Sequence, residues 1–177
     1  MKISTRKLVY ISMLVAQAMI LSYVESLLPA IPIQGAKLGL ANIATLLALS
    51  TLSFKESLLI VIARTFLSSF MFGNMTVLIY SLTGGIFSLI AMYVTLKLSN
   101  NNFSLIAVSI IGAVFHNAGQ LTVAVLILQN KNVFLLWPYL LLVAIPTGIF
   151  IGIASNYLLK YLLKGNFNFK NKKVRLK

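Results

Sequence analysis

Long apolar runs separated by short polar turns restrict the fold of this chain more than any other feature. A helix needs about 20 mostly apolar residues to cross a bilayer. Runs of this kind occupy residues 8–28, 76–98, 103–128 and 133 or 138 to 163, and shorter ones occupy 38–52 and 58–72. Hydrophobic residues make up 59% of the chain and charged residues 10%, whereas soluble domains carry about 25% charged residues. We predict an all-α, polytopic membrane protein with six transmembrane helices.

The positions of the basic residues indicate how these helices are oriented. If both termini face the cytoplasm, the inner side carries Lys2, Arg6, Lys7, Lys55, Lys97 and all basic residues from Lys160 onward. The outer side carries only Lys37 and Lys131, which follows the positive-inside rule. We therefore expect a six-helix transmembrane domain at residues 1–164 and a basic cytoplasmic tail at 165–177, in a bacterial cell membrane. A leader cleaved near "AQA" at residues 16–18 is the alternative for the first run.

The net charge of +13 then reflects this topology and contact with the anionic headgroups of the lipid bilayer, and no nucleic acid partner is expected.

The chain lacks the side chains that most catalytic centres need. It has no cysteine, one histidine and two acidic residues, Glu25 and Glu56, which the topology assigns to opposite faces of the membrane. Prenyl and phosphoryl transfer use clustered carboxylates to hold Mg²⁺, and a hydrolase triad pairs its histidine with an acidic residue. No P-loop pattern occurs in the sequence. We expect no catalysis, no metal and no cofactor, and ATP hydrolysis only by another chain.

Polar residues converge in the outer half of the predicted bundle. On the fifth helix, Gly112, His116 and Gln120 share a face with Asn117 beside it, because residues four apart are neighbours on a helix. Polar groups in the outer halves of the other helices are Glu25, Asn42, Thr45, Arg64, Thr65, Ser68, Ser69, Asn74 and those of residues 81–85. Placing a charge such as that of Arg64 at the bilayer centre costs about 2.5–3.5 kcal/mol, so it should face protein or water.

Two interpretations of these polar residues remain open. They are either interhelical hydrogen-bonding groups, worth about 0.6 kcal/mol each, or the lining of a cavity open to the outside. We favour the cavity, because all of them lie on one side of the membrane. The candidate substrate-binding residues are Lys37, Asn42, Arg64, Asn74, His116, Asn117 and Gln120.

The charges of this region indicate an anionic or electron-rich ligand, because Lys37 and Arg64 are cationic and Glu25 offsets only part of their charge. The proline-containing segment 29–37 is either a lid over the cavity or a rigid connector.

Small residues recur at four-residue spacing, which lets helix backbones approach closely. The pairs are Ser12 and Ala16, Ser81 and Gly85, and Gly148 and Gly152. We expect most of them to pack inside the bundle. Ser12 and Ala16 alternatively form a docking surface for another membrane protein.

Four segments together resemble one family of membrane proteins. They are "PAIPIQGAKLGLANIATLLAL", "RTFLSSFMFGN", "YSLTGG" and "GAVFHNAGQL", and they occur in order within nearly the whole chain up to about residue 164. The chain resembles the heptaprenyl diphosphate synthase component I proteins, also called Gx transporters. These look like relatives of the substrate-binding S components of energy-coupling-factor (ECF) transporters.

The resemblance implies a transport function. S components are six-helix proteins that bind vitamins or related compounds from outside, and a T protein with two ATPases drives uptake. The implied pocket is formed by the outer halves of helices four to six and the first loop, and the implied docking site for the T protein is on the first helix. S components favour an Ala-x-x-x-Ala pair there, and this chain has Ser12 in place of the first alanine.

The family is also associated with prenyl diphosphate synthesis and with quinone- and flavin-linked electron transfer. This association makes isoprenoid-like or flavin-like ligands conceivable. It also implies the alternative function, a non-catalytic membrane accessory subunit of a prenyl diphosphate synthase or of an electron-transfer complex.

Overall fold

The computed structural model describes residues 4–27, 37–98, 103–165 and 167. Within these ranges the regular structure is entirely helical, which confirms the all-α part of the predicted fold class. The helices are α1 (Thr5–Ser26), α2 (Asn42–Thr51), α3 (Phe54–Phe72), α4 (Met75–Leu98), α5 (Leu105–Leu128), a 3-10 helix (Lys131–Leu136) and α6 (Trp137–Lys164).

Four helical segments among the described residues are long and apolar enough to cross a membrane. They are Thr5–Ser26, Met75–Leu98, Leu105–Leu128 and the continuous stretch Lys131–Lys164. The six α-helices match the predicted number, but α2 has only 10 residues, or about 15 Å at 1.5 Å per residue. Because the hydrocarbon core is about 30 Å thick, α2 alone covers half of it. Six complete spans therefore remain a prediction.

Helix α2 lies in the interior of the bundle. Every one of its residues is buried, and it contacts α1, α3, α4, α5 and α6. Its leucines Leu46, Leu47 and Leu49 belong to the main hydrophobic core. A helix that is apolar on all sides must be surrounded, and here the surroundings are protein.

Glycines set the close approach of α5 to its neighbours. A Cβ at Gly148 would lie 2.6 Å from Ile110 Cα, and one at Gly152 would lie 2.5 Å from Ile106 Cα. The predicted internal packing of this pair is thus confirmed between α6 and α5. On the other side of α5, a Cβ at Gly119 would lie 3.0 Å from Gly84 Cα of α4.

Two contacts bring the start of α1 and the end of α6 to one end of the bundle. Lys7 at the start of α1 forms an ion pair with Glu56 at the start of α3. Arg6 Nη2 donates a hydrogen bond to the Gly165 carbonyl, just after α6, at 3.0 Å. The beginning of the described chain and its last helix therefore lie at the same end, as the predicted topology requires. The predicted tail beyond residue 167 lies outside the described residues.

Candidate functional site

Helix α2 begins near the middle of the bundle rather than at its edge. Asn42, its first residue, accepts a hydrogen bond through Oδ1 from Arg64 Nη2 at 3.2 Å. Arg64 lies near the middle of α3. The turn before α2 approaches His116, which lies halfway along α5, since a Cβ at Gly39 would lie 3.0 Å from His116 Cδ2. The N-terminus of α2 is therefore at the mid-depth of α3 and α5.

A carboxylate occupies this helix N-terminus. Glu25, near the end of α1, accepts a hydrogen bond from the backbone N–H of Gly39 and interacts with that of Leu40. It is 6% exposed. A helix N-terminus carries about half a positive charge and attracts anions. The expectation that Glu25 offsets Lys37 and Arg64 is consistent with its electrostatic interaction with both residues.

Gly39 is a site residue that sequence reasoning missed. Its φ of +89° lies in the left-handed region that glycine adopts without a steric penalty. A Cβ there would lie 2.9 Å from Asn42 Nδ2 and 3.2 Å from His116 Nε2. Glycine is thus required twice at this position, by the backbone conformation and by the close approach of two polar side chains. The sequence pattern that could have identified this residue is a glycine three residues before the first residue of α2.

The hydrogen bonds of Gln120 indicate which ring nitrogen of His116 carries the proton. Gln120 Oε1 accepts from the backbone N–H of Lys37 at 3.3 Å, so its Nε2 is the donor toward His116 Nε2, 3.0 Å away. With the Gln120 amide in this orientation, His116 Nε2 accepts, which assigns the ring proton of a neutral imidazole to Nδ1. Nδ1 is buried and has no hydrogen-bond partner among the described residues. That atom faces α4, where a Cβ at Gly84 would lie 3.0 Å from it.

The structure thus brings five of the seven predicted substrate-binding residues together. Lys37, Asn42, Arg64, His116 and Gln120 form one group with Glu25 and Gly39, which we call the polar cluster.

The other two predicted residues have packing or capping contacts. Asn117 is buried and donates from Nδ2 to the Leu140 carbonyl of α6 at 3.0 Å, an interhelical bond. Asn74 is exposed, and its Oδ1 accepts from the Val77 backbone N–H at 2.9 Å, as N-terminal capping residues do. It also lines a surface groove of about 120 Å³ with Ser69 and Phe70.

Several polar atoms of the site have no hydrogen-bond partner among the described residues. Asn42 Nδ2 and Arg64 Nε are unpaired donors, and Asn117 Oδ1 is an unpaired acceptor. Asn42 and Arg64 are 2% and 3% exposed, so these groups are also shielded from bulk solvent. A buried polar group without a partner costs about 1–3 kcal/mol. In this structure, the buried donors and the acceptor at mid-depth of the bundle could therefore still bind a further polar group.

The electrostatic balance of the polar cluster is positive. Lys37 and Arg64 face one carboxylate, that of Glu25. Burial lowers the pKa of the Lys37 ammonium, Glu25 raises it, and Arg64 lowers it further. The pKa of Lys37 is therefore lowered mainly by burial, since the attraction of Glu25 exceeds the repulsion of Arg64.

The glutamates do not form an acidic pair. Glu56 contacts Lys7, and Glu25 lies about 27 Å further along α1 from Lys7 at 1.5 Å per residue. No group of three or more His, Cys, Asp or Glu residues that could hold a metal ion occurs in the described ranges.

Ser12 and Ala16 lie on the exposed side of α1, beside exposed Val9, Met13 and Ile20. A docking role for this surface remains a prediction. Residues 29–36 of the predicted lid lie outside the described residues, and only its last residue, Lys37, is placed.

A family model described as heptaprenyl diphosphate synthase component I matches residues 14–158. The chain belongs to this family. The predicted resemblance is thereby confirmed, and the match includes the described residues of the polar cluster. The family description names one component of a synthase, which implies a partner component. No curated protein and no solved structure matches the chain.

Proposed function

We propose that this component I family member is the substrate-binding subunit of an ECF-type uptake transporter. It takes a small vitamin-like, isoprenoid-like or flavin-like compound from the outside of a bacterial cell membrane. The observation that carries the proposal is the polar cluster, a buried set of charged and amide groups at mid-depth with unused hydrogen-bond donors.

Membrane energetics favour a ligand site over simple interhelical bonding. Polar groups that only join helices contribute about 0.6 kcal/mol each, and that role fits Asn117, which is bonded to α6. It does not account for Asn42 Nδ2 and Arg64 Nε, which are buried and have no hydrogen-bond partner among the described residues. A chain gains nothing in stability from such atoms, so their presence is consistent with a partner that the bound state supplies.

The site differs in position from the pocket that the family resemblance implies. That pocket lies between helices four to six and the first loop, whereas the polar cluster draws on α1, α2, α3, α5 and the turn before α2. Helix α4 contributes a close backbone contact to the cluster at Gly84. We propose that a ligand enters beside the turn at Gly39.

Transport against a gradient requires an energy source that this chain lacks, since it has no P-loop pattern. We propose that a T protein with two ATPases supplies it and that the T protein docks on the exposed α1 surface at Ser12 and Ala16. The chain itself performs no catalysis.

The family description favours one other candidate, a membrane accessory subunit of a prenyl diphosphate synthase. The resemblance described above extends this alternative to a quinone- or flavin-linked electron-transfer complex. In that case the partner brings the metal-binding carboxylates, because diphosphate chemistry needs Mg²⁺ held by acidic residues and this chain has only two.

Affinity purification from native membranes in mild detergent, with mass spectrometry of the co-purifying proteins, separates these candidates. The transport proposal predicts a T protein and two ATPases. Co-purification of a prenyl synthase or redox subunits without any ATPase would contradict it and support the accessory function.

A further inference from the structure

The Glu25 carboxylate lies where an anionic ligand would bind. It accepts the Gly39 N–H and interacts with the Leu40 N–H, the two amides that precede α2. Free backbone N–H groups at a helix N-terminus are a common binding site for carboxylate and phosphate groups. Helix α2 has 10 residues, enough for its dipole to contribute to such a site.

Two unpaired donors next to this carboxylate point independently to a ligand. Asn42 Nδ2 has no partner among the described residues, and a Cβ at Gly39 would lie only 2.9 Å from it. Arg64 Nε is also unpaired, although its Nη2 is bonded to Asn42. Both residues are at least nine-tenths buried. Asn42 Nδ2 thus faces the turn at Gly39, and the Arg64 guanidinium is bonded to the same asparagine.

Charge supports the same assignment. Lys37 and Arg64 carry one positive charge more than Glu25 neutralises, and the helix N-terminus adds to the excess. Uncompensated charge in a buried site is costly, so an additional or stronger anion would be stabilised there. Phosphate and carboxylate groups pair well with a guanidinium and with backbone amides.

We infer that the ligand of this site carries a carboxylate or phosphate group and that this group displaces the Glu25 carboxylate from the N-terminus of α2. This inference rests on the proposed function, in which the polar cluster binds the transported compound, and it adds the chemical class of that compound. Glu25 then acts as an internal anion that occupies the site until the ligand replaces it. Asn42 and Arg64 supply the hydrogen bonds that distinguish the bound state.

The test uses inorganic phosphate as the probe and the purified full-length protein in neutral detergent. Isothermal titration gives the phosphate Kd of the wild type and of Glu25→Gln. Glutamine keeps an oxygen to accept the Gly39 N–H but removes the competing charge. We expect the phosphate Kd to fall about tenfold or more, the size of effect seen when a close buried charge is changed.

The chain offers a matched control, because its other acidic residue lies away from the polar cluster, at the end of the bundle where α1 and α3 begin. Glu56→Gln changes the net charge by the same amount but contacts Lys7, not the polar cluster. We expect its phosphate Kd to be unchanged. An equal gain in both variants, or no gain in Glu25→Gln, would overturn the inference.

A second variant keeps the test decisive if Glu25→Gln folds poorly. Lys37→Gln leaves the backbone N–H that bonds Gln120 and removes one positive charge. We expect the single variant Lys37→Gln, with Glu25 intact, to bind phosphate more weakly than the wild type. An unchanged phosphate Kd would overturn the inference.

The two experiments distinguish failure of the anionic ligand class from failure of the proposed transport function. Co-purifying ATPases without a phosphate response would leave the transporter and overturn the anionic ligand class. A phosphate response without ATPases would support the anion site and contradict the transporter.

Discussion

Arg64 of α3 donates a hydrogen bond across 3.2 Å to Asn42, the first residue of α2. This bond joins the middle of a long helix to the beginning of a short one. It shows that the interior helix starts at the depth where a buried arginine needs a partner. The position of the candidate site follows from that geometry, because the turn before α2 brings Gly39 against His116.

The protonation state of the histidine is directly measurable, because the chain has only one. The bonds of Gln120 to Lys37 and His116 require a neutral ring with its proton on Nδ1. We expect the ¹⁵N chemical shifts of His116 in membranes at neutral pH to show that tautomer. A charged ring, or a proton on Nε2, would contradict the described network. Gln120→Leu is the matched variant, in which we expect the tautomer preference to weaken.

Substitution of Gly39 should be costly for two reasons. Its φ is +89°, and an added Cβ would lie 2.9 Å from Asn42 Nδ2. We expect Gly39→Ala to lower the free energy of unfolding by about 1–3 kcal/mol. Gly73→Ala is the control for crowding, because a Cβ there would lie 3.1 Å from Val77 Cγ1 while the backbone φ is negative, at −138°. Equal losses in the two variants, measured by denaturant titration in detergent, would show that the turn conformation is not required.

The contact between α5 and α6 predicts a second stability effect. A Cβ at Gly152 would lie 2.5 Å from Ile106 Cα, so the helices must move apart to accommodate it. We expect Gly152→Ala to destabilise the bundle by about 1–3 kcal/mol. Ile153→Val, at a neighbouring exposed position, should change stability by less than about 0.5 kcal/mol. Equal midpoints of thermal unfolding for both variants would contradict the close contact between α5 and α6 at Gly152.

The exposed small residues of α1 predict a defect in assembly without a defect in folding. Ser12 and Ala16 lie on the exposed side of the helix, so larger side chains there should not disturb the bundle. We expect Ser12→Leu with Ala16→Leu to abolish co-purification of a T protein while the thermal unfolding midpoint stays unchanged. Thr122→Leu, at an exposed position of α5, is the control. Undiminished co-purification with the double variant would rule out this surface.

Periodicity and apolar length predicted the helices well but not the environment of α2. Residues 38–52 are as apolar as a lipid-facing segment, and hydropathy does not distinguish a helix surrounded by lipid from one surrounded by protein. Only the packing of five other helices shows that α2 is interior.

The candidate site was predicted in part, for reasons that differ among its residues. Spacing on one helix face grouped His116 with Gln120, and burial cost identified Arg64. Asn74 was assigned to the site although an asparagine just before a helix is a common cap. The role of Gly39 depends on a tertiary contact between the α2 turn and α5, which no local pattern encodes.

The most direct test of a ligand site in the polar cluster is to identify the small molecules that the protein carries from its native membranes. Wild-type protein, Arg64→Gln and the control Lys131→Gln, which alters an exposed basic residue, would be purified identically and denatured. The released compounds would then be compared by mass spectrometry. We expect one compound that is released by the wild type and by Lys131→Gln but lost from Arg64→Gln. The same compounds from all three proteins, with nothing specific to an intact Arg64, would contradict a ligand site in the polar cluster.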